Sequence, residues 1–207
     1  MTRRLAAACV ALAALLSGCS AVVHGVGHGS PAAGAPTPAR PTGCPRVVYP
    51  AAKLTFDCLT TGLTAFYDGA VWPVAERKTV EKSTQWVLEE GAGHWGSPVN
   101  QTLATIAVTV RQRMIGVGGY GASPKIDTVA SRATTVDGHD AYLLQTTFTL
   151  NPRWARQDGT KVKQEKLWIV AIQVGDLDVS LWYTSVPDLV RELWPKVPSV
   201  IASIKVG

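Results

Sequence analysis

Between residues 44 and 207 the chain has two histidines, His94 and His139, and few other side chains suited to acid/base work. His94 stands beside Trp95 in Glu89–Asn100, EEGAGHWGSPVN, with three glycines around the pair and two carboxylates, Glu89 and Glu90, just before it. A histidine next to an aromatic on a glycine-rich loop suits ligand binding or proton transfer. The competing reading is a core-capping tryptophan beside a solvated histidine. His139-Asp140 follows a turn, where polar residues are ordinary. A serine or cysteine hydrolase needs one of these histidines next to a nucleophile. The sequence has no Gly-x-Ser-x-Gly, no His-Glu-x-x-His, no P-loop and no Gly-x-Gly-x-x-Gly followed by a suitable acid. No catalytic residue and no cofactor is therefore assigned, and the expected class is non-enzymatic, with a hydrolase as the weaker alternative. His24 and His28 are four apart, but in a glycine-rich, non-helical context, so no metal site is assigned either.

Two other sets of residues suit binding. Asn151–Lys166 carries Arg153, Arg156, Lys161, Lys163 and Lys166 against Asp158 and Glu165, and includes Trp154. Such a patch suits anionic lipid headgroups or an acidic envelope protein; the competing reading is a solvated hairpin tip. The second set is Trp72, Trp95, Tyr120 and Trp182, which, if they converge at one end of a sheet, would stack on a sugar or cell-wall fragment. Seven tryptophans are many for this length, and most are expected in the core or at an interface. The net charge is +5, or +3 once Arg3 and Arg4 leave with the signal described next. That balance is too weak to argue for nucleic acid, and no aromatic-plus-basic RNA motif accompanies it.

The chain begins like an exported protein. Arg3 and Arg4 precede an apolar run, Leu5–Leu16, too short to span a bilayer comfortably, and the run ends in Leu16-Ser17-Gly18-Cys19. This resembles the lipobox of bacterial lipoproteins, which implies cleavage before Cys19, a diacylglycerol on its thiol and anchoring on the outer, extracytoplasmic face of a cell membrane. Two acyl chains, at about 0.8 kcal/mol per buried methylene, suffice for stable anchoring. Residues 1–18 are thus read as the signal and 19–43 as the anchor cysteine with a flexible tether of Gly, Ala and Pro. The tether cannot bury enough apolar surface to order itself. Residues 44–207 are long enough for one domain with its own core. Cys44 and Cys58, an even pair in an exported chain, are expected to form a disulfide, worth roughly 3 kcal/mol for a loop of about 15 residues.

Leu54, Phe56 and Cys58 alternate with polar residues, as in a half-buried strand. Residues 60–69 read as a loop, 71–77 as an extended piece that Pro73 assigns to a sheet edge, and 84–89 as a strand. Asn100 is a candidate N-cap for a helix over 101–115, with Leu103, Ile106, Ala107, Val110 and Met114 on one face and Arg111 and Arg113 in its last turns. Lys125–Val136, the Asp137-Gly138 turn and His139–Leu150 form a hairpin. Lys166–Val174 is apolar on both faces and so needs a cover on each. Val179–Val186 is the next strand. A helix then starts at Pro187, capped by Ser185, and either kinks or restarts at Pro195 to end near Ser203. Its residues Leu189, Leu193, Val197, Ile201 and Ile204 are expected to face the sheet.

The order of these elements, with Val136-Asp137-Gly138, Glu165–Val174 and Thr184-Ser185-Val186-Pro187 leading into the final helix, resembles the PsbP-like family. That family includes the extrinsic P protein of photosystem II and small bacterial lipoproteins such as the mycobacterial LpqN/LpqT type. The resemblance covers Leu54–Lys205. It implies an α+β fold, an α/β/α sandwich with a central antiparallel sheet covered by helices, and a non-enzymatic accessory role in an actinobacterial-type envelope. No family metal site matches residue by residue.

Overall fold

A computed structural model describes residues 46–68, 72–96, 100–117, 120 and 123–207. The proposed signal, Cys19, the tether with His24 and His28, and Cys44 lie outside the described residues. The chain runs β1 (Arg46–Tyr49), β2 (Leu54–Asp57), β3 (Thr64–Asp68), β4 (Trp72–Glu81), β5 (Trp86–Gly96), α1 (Leu103–Val117), β6 (Lys125–Val136), β7 (His139–Thr149), α2 (Pro152–Asp158), β8 (Gln164–Gln173), β9 (Val179–Pro187), a 3₁₀ segment (Asp188–Lys196), α3 (Val197–Ser203) and β10 (Lys205–Val206). Seven strands form one antiparallel sheet in the order β3-β4-β5-β9-β8-β7-β6, and β1-β2-β10 form a second, smaller sheet. The α+β expectation, a large antiparallel sheet between helical layers, holds.

The pattern of β8 explains the layering. Leu167, Ile169 and Ala171 pack into a core with α1, through Ile106, Ala107, Val110 and Met114. Trp168, Val170 and Ile172 pack into a second core on the other face, with Leu193 of the 3₁₀ segment, Val197 and Val200 of α3, and Leu54 and Phe56 of the small sheet. The two covers that a doubly apolar strand demands are both present. At Asp137-Gly138 both φ angles are positive, 50° and 81°, as a two-residue hairpin turn requires. The Asp137 carboxylate accepts hydrogen bonds from Lys205 Nζ at 2.7 Å and Val206 N at 3.0 Å, which pins β10 to this turn.

Several expectations are corrected. Residues 64–68 form an edge strand rather than a loop, so β4 is not at the edge; Pro73 lies where the β3–β4 register is irregular, between Asp68↔Trp72 and Phe66↔Ala75, and precedes the first β5 pair at Ala75. The supposed Glu89–Asn100 loop is mostly strand: β5 runs through to Gly96, bonded to β4 and β9. Gly91 is there for room, because a Cβ would stand 2.6 Å from Cε1 of Tyr183, its cross-strand partner. α1 begins two residues late. Thr102, not Asn100, caps it, its Oγ1 accepting from Thr105 N at 3.1 Å, and Asn100 takes φ of 62°. With α1 extended to Val117, its last turn carries no cation. Arg111 donates to Thr128 Oγ1 and Arg113 lies over the Trp95 ring instead. Ser185 caps nothing, because it lies within β9 and donates into the sheet core, while Pro187 ends β9. Pro195 falls inside the 3₁₀ segment and α3 starts at Val197. Leu193, Val197 and Ile204 are buried as expected, but Leu189 is exposed and Ile201 only half-buried, while Val200 is buried too.

Candidate functional site

The basic stretch is not a bare hairpin tip. Asn151 caps α2, its side chain accepting from Arg153 N at 2.9 Å and Trp154 N at 3.3 Å, Pro152 occupies the first turn, and Gly159 closes the helix at φ 80°. Trp154 is half-buried, its ring 6.3 Å from that of Trp86 in an edge contact, and so roots the helix in the α1-side core. Beyond α2 the backbone is tied down by two carboxylates. Glu81 of β4 accepts from Thr160 Oγ1, from Lys161 N at 2.8 Å and from Thr84 Oγ1. Asp188 accepts from Lys163 N at 3.2 Å. Burial pushes the Glu81 carboxyl up, but these donors outweigh it and hold the group below its ordinary pKa.

On this fixed frame Arg153, Arg156, Lys161 and Lys163 are all exposed. The three described ion pairs lie elsewhere, at Lys53–Asp178, Lys125–Asp127 and Lys205–Asp137. Lys166 leaves the patch, because its Nζ sits 4.1 Å from the centre of the Trp194 ring. A groove of about 720 Å³ runs along the arm, with Arg156, Lys161 and Lys163 on its borders and Leu150, Ala155 and Val162 among its walls.

A second polar cluster, which the sequence did not single out, lies inside the α1-side core. Glu165 is 4% exposed. It accepts from Trp86 Nε1 at 2.8 Å, from Tyr120 Oη at 3.0 Å and from Ser185 Oγ. Burial pushes its carboxyl up to about 7 despite these donors, and Glu89 nearby adds to the shift. Burial also pushes the Tyr120 hydroxyl well up. Glu89 in turn accepts from Tyr183 Oη. The signal for this site is parity: Glu165 shares a strand face with Leu167 and Ile169. On the opposite face Glu90, 1% exposed, accepts from Leu59 N at 3.1 Å, and burial pushes it up to about 8.

The remaining candidate residues disperse. Tyr120 is buried in the α1-side core and Trp182 in the other, so the proposed stacking cluster does not assemble around them. Trp95 is engaged, donating to Gln101 Oε1 at 3.2 Å beneath the Arg113 guanidinium. The Trp72 side chain lies outside the described residues. His94 is exposed on β5, opposite Ser180. His139 Nδ1 lies 2.9 Å from the Gln173 carbonyl, a contact between neighbouring segments of the fold. Cys58 is buried and disulfide-bonded. Among the described residues no group of three or more His, Cys, Asp or Glu is placed to hold a metal ion, and no helix is long and apolar enough to cross a membrane.

No family model and no curated protein sequence matches the chain. Solved structures do. Cyanobacterial PsbP from Synechocystis sp. PCC 6803 is 12% identical and matches over 79% of this chain and 92% of its own, with a TM-score of 0.54. The fold is PsbP-like. LpqN of Mycobacterium tuberculosis, described as involved in cell envelope biogenesis, is 11% identical over 74% of this chain and 83% of its own, at a TM-score of 0.45. The Saccharomyces cerevisiae Ran-binding protein Mog1p is 10% identical over 79% and 96%, at 0.47. Within the PsbP-like domain, the buried acids are held by neutral donors, whereas the arm presents four exposed cations, none of them in a described ion pair, against the single acid Asp158 in the same segment.

Proposed function

We propose that this chain is an exported, lipid-anchored, non-enzymatic binding or accessory protein of the cell envelope. Cys19 fixes it to the outer face of the membrane, and the arm 151–163 makes its contacts with an anionic surface. One observation carries the binding reading: four exposed cations, against the single acid Asp158, stand on a backbone clamped by Glu81 and Asp188, and none of them is in a described ion pair. A rigid, net-cationic segment attracts anionic headgroups at roughly 1 kcal/mol per basic residue close to the surface. The Leu16–Cys19 motif supports the anchor, and Cys44 is the expected partner of Cys58. The likeness in fold to PsbP is compatible with an accessory role.

Two experiments test this. Labelled palmitate is expected in the wild-type chain and absent from Cys19→Ser, which should leave the membrane fraction; a Cys19→Ser chain that stays labelled and membrane-bound overturns the anchor. The Cys19→Ser chain from residue 19 is expected to co-sediment with phosphatidylglycerol vesicles at low salt and to lose this in R153E/R156E/K161E/K163E. Equal retention of both chains overturns the role of the arm.

A further inference from the structure

We infer that the groove along the arm is a binding site for a single anionic lipid, the headgroup between Arg156, Lys161 and Lys163 and the adjoining hydrocarbon against Pro152 and Ala155. This deepens the reading of the arm as an anionic contact surface and rests on it.

What the groove still has to offer decides the ligand class. Its backbone donors are spent: Leu150 N donates to the Lys163 carbonyl at 2.9 Å, Lys161 N to Glu81, Val162 N to Thr160 Oγ1 at 3.1 Å and Lys163 N to Asp188. The strands beside it, β7 and β8, are each paired on both sides. A peptide adding to a sheet needs a free edge and open backbone donors, and the groove residues named offer neither. Exposed cationic heads remain, beside the carbon of Pro152 and Ala155, while Leu150 and Val162 are buried. The one acid among the lining residues, Asp188, already accepts from the Lys163 amide. The matching chemistry is a negative head joined to hydrocarbon. The volume, about 720 Å³, lies within the range of roughly 300–1,000 Å³ typical of small-molecule sites, room for a headgroup and the first part of its chains rather than a whole diacyl lipid.

The test uses the Cys19→Ser chain and dihexanoyl-phosphatidylglycerol, kept below its micelle threshold, followed by calorimetry. Dihexanoyl-phosphatidylcholine and inorganic phosphate are the controls. The anionic lipid should bind saturably and each control at least about tenfold more weakly, the equivalent of one good charged contact. Ala155→Trp, which fills the groove and leaves every cation in place, should abolish this binding while vesicle co-sedimentation persists. R156E/K163E, both surface changes, should abolish it without altering the unfolding midpoint, which keeps the test open should Ala155→Trp fail to fold. The inference is overturned if the wild type does not bind the monomeric lipid, if phosphate binds as well as the lipid, or if an acidic peptide binds and Ala155→Trp blocks it. Lipid binding that fails while charge-dependent vesicle retention persists removes the groove alone; loss of both removes the arm as a contact surface.

Discussion

Two regions of this domain handle charge in opposite ways. Inside, Glu165 is an acid without a cation, surrounded by an indole, a phenol and a serine hydroxyl. Outside, Arg153, Arg156, Lys161 and Lys163 are exposed cations in no described ion pair, on a segment whose backbone is fixed. Removing a buried carboxyl from water is costly, so the interior keeps it by supplying neutral donors and letting its pKa rise. Exposed cations cost little and can be left uncompensated until a partner arrives. The interior cluster accounts for how β5, β8, β9 and the Tyr120 segment are held together; the arm is what the molecule still has available for binding.

The comparison is broken most severely from within. Glu165→Ala leaves three donors without their acceptor, at roughly 1–3 kcal/mol for each one that stays buried. A loss of about 3 kcal/mol is expected in urea denaturation, with vesicle retention of the remaining folded protein intact. Gly91→Ala forces a methyl against the Tyr183 ring and should cost about 2 kcal/mol in the same assay, the usual scale of overpacking; a neutral result would show that the ring can move aside.

The pH dependence sharpens the contrast further. Glu165 and Glu90 hold protons in the folded chain at pH values where the unfolded chain, with carboxyls near 4.5, has released them. The folded state therefore binds more protons, and stability falls as pH rises from about 4.5 towards 7 for Glu165 and 8 for Glu90. Glu165→Gln keeps an acceptor and should flatten the first part of that fall in unfolding midpoints measured across pH. Glu81 has the opposite sign: its contribution is present above the ordinary carboxyl range and is lost as pH falls through its depressed folded value. Acid should therefore loosen the arm, seen as faster amide exchange at Lys161, while alkali weakens the core. The smallest expected effect on stability is that of single arm substitutions such as Arg153→Ala or Lys163→Ala, within about 0.5 kcal/mol, as for other surface changes.

How far the sequence foretold this differs between elements for physical reasons. β8 was legible because an unbroken apolar run states its own burial on both faces, and Asp137-Gly138 because a tight hairpin has few residue options. β5 was legible only to Glu89, because the reason for Gly91 is across the sheet, at Tyr183, and no local pattern records it. β10 has two residues and forms only because β2 and Asp137 are there to receive it. In the arm, the cations were evident but α2 and the Glu81 anchor were not, since Glu81 lies about 80 residues earlier in the chain. By composition Glu165 reads as one of the arm's charges, but the alternation of β8 places it with Leu167 and Ile169. His94 and Trp95 drew attention by their types, yet Trp95 is spent on α1 and Gln101.

The most direct test of the division between a self-satisfied interior and an available arm is a paired measurement on R153E/R156E/K163E in the Cys19→Ser background: unfolding midpoint and co-sedimentation with phosphatidylglycerol vesicles at low salt. The division predicts an unchanged midpoint and lost retention. Retention equal to that of the parent chain, with the midpoint unchanged, would contradict it.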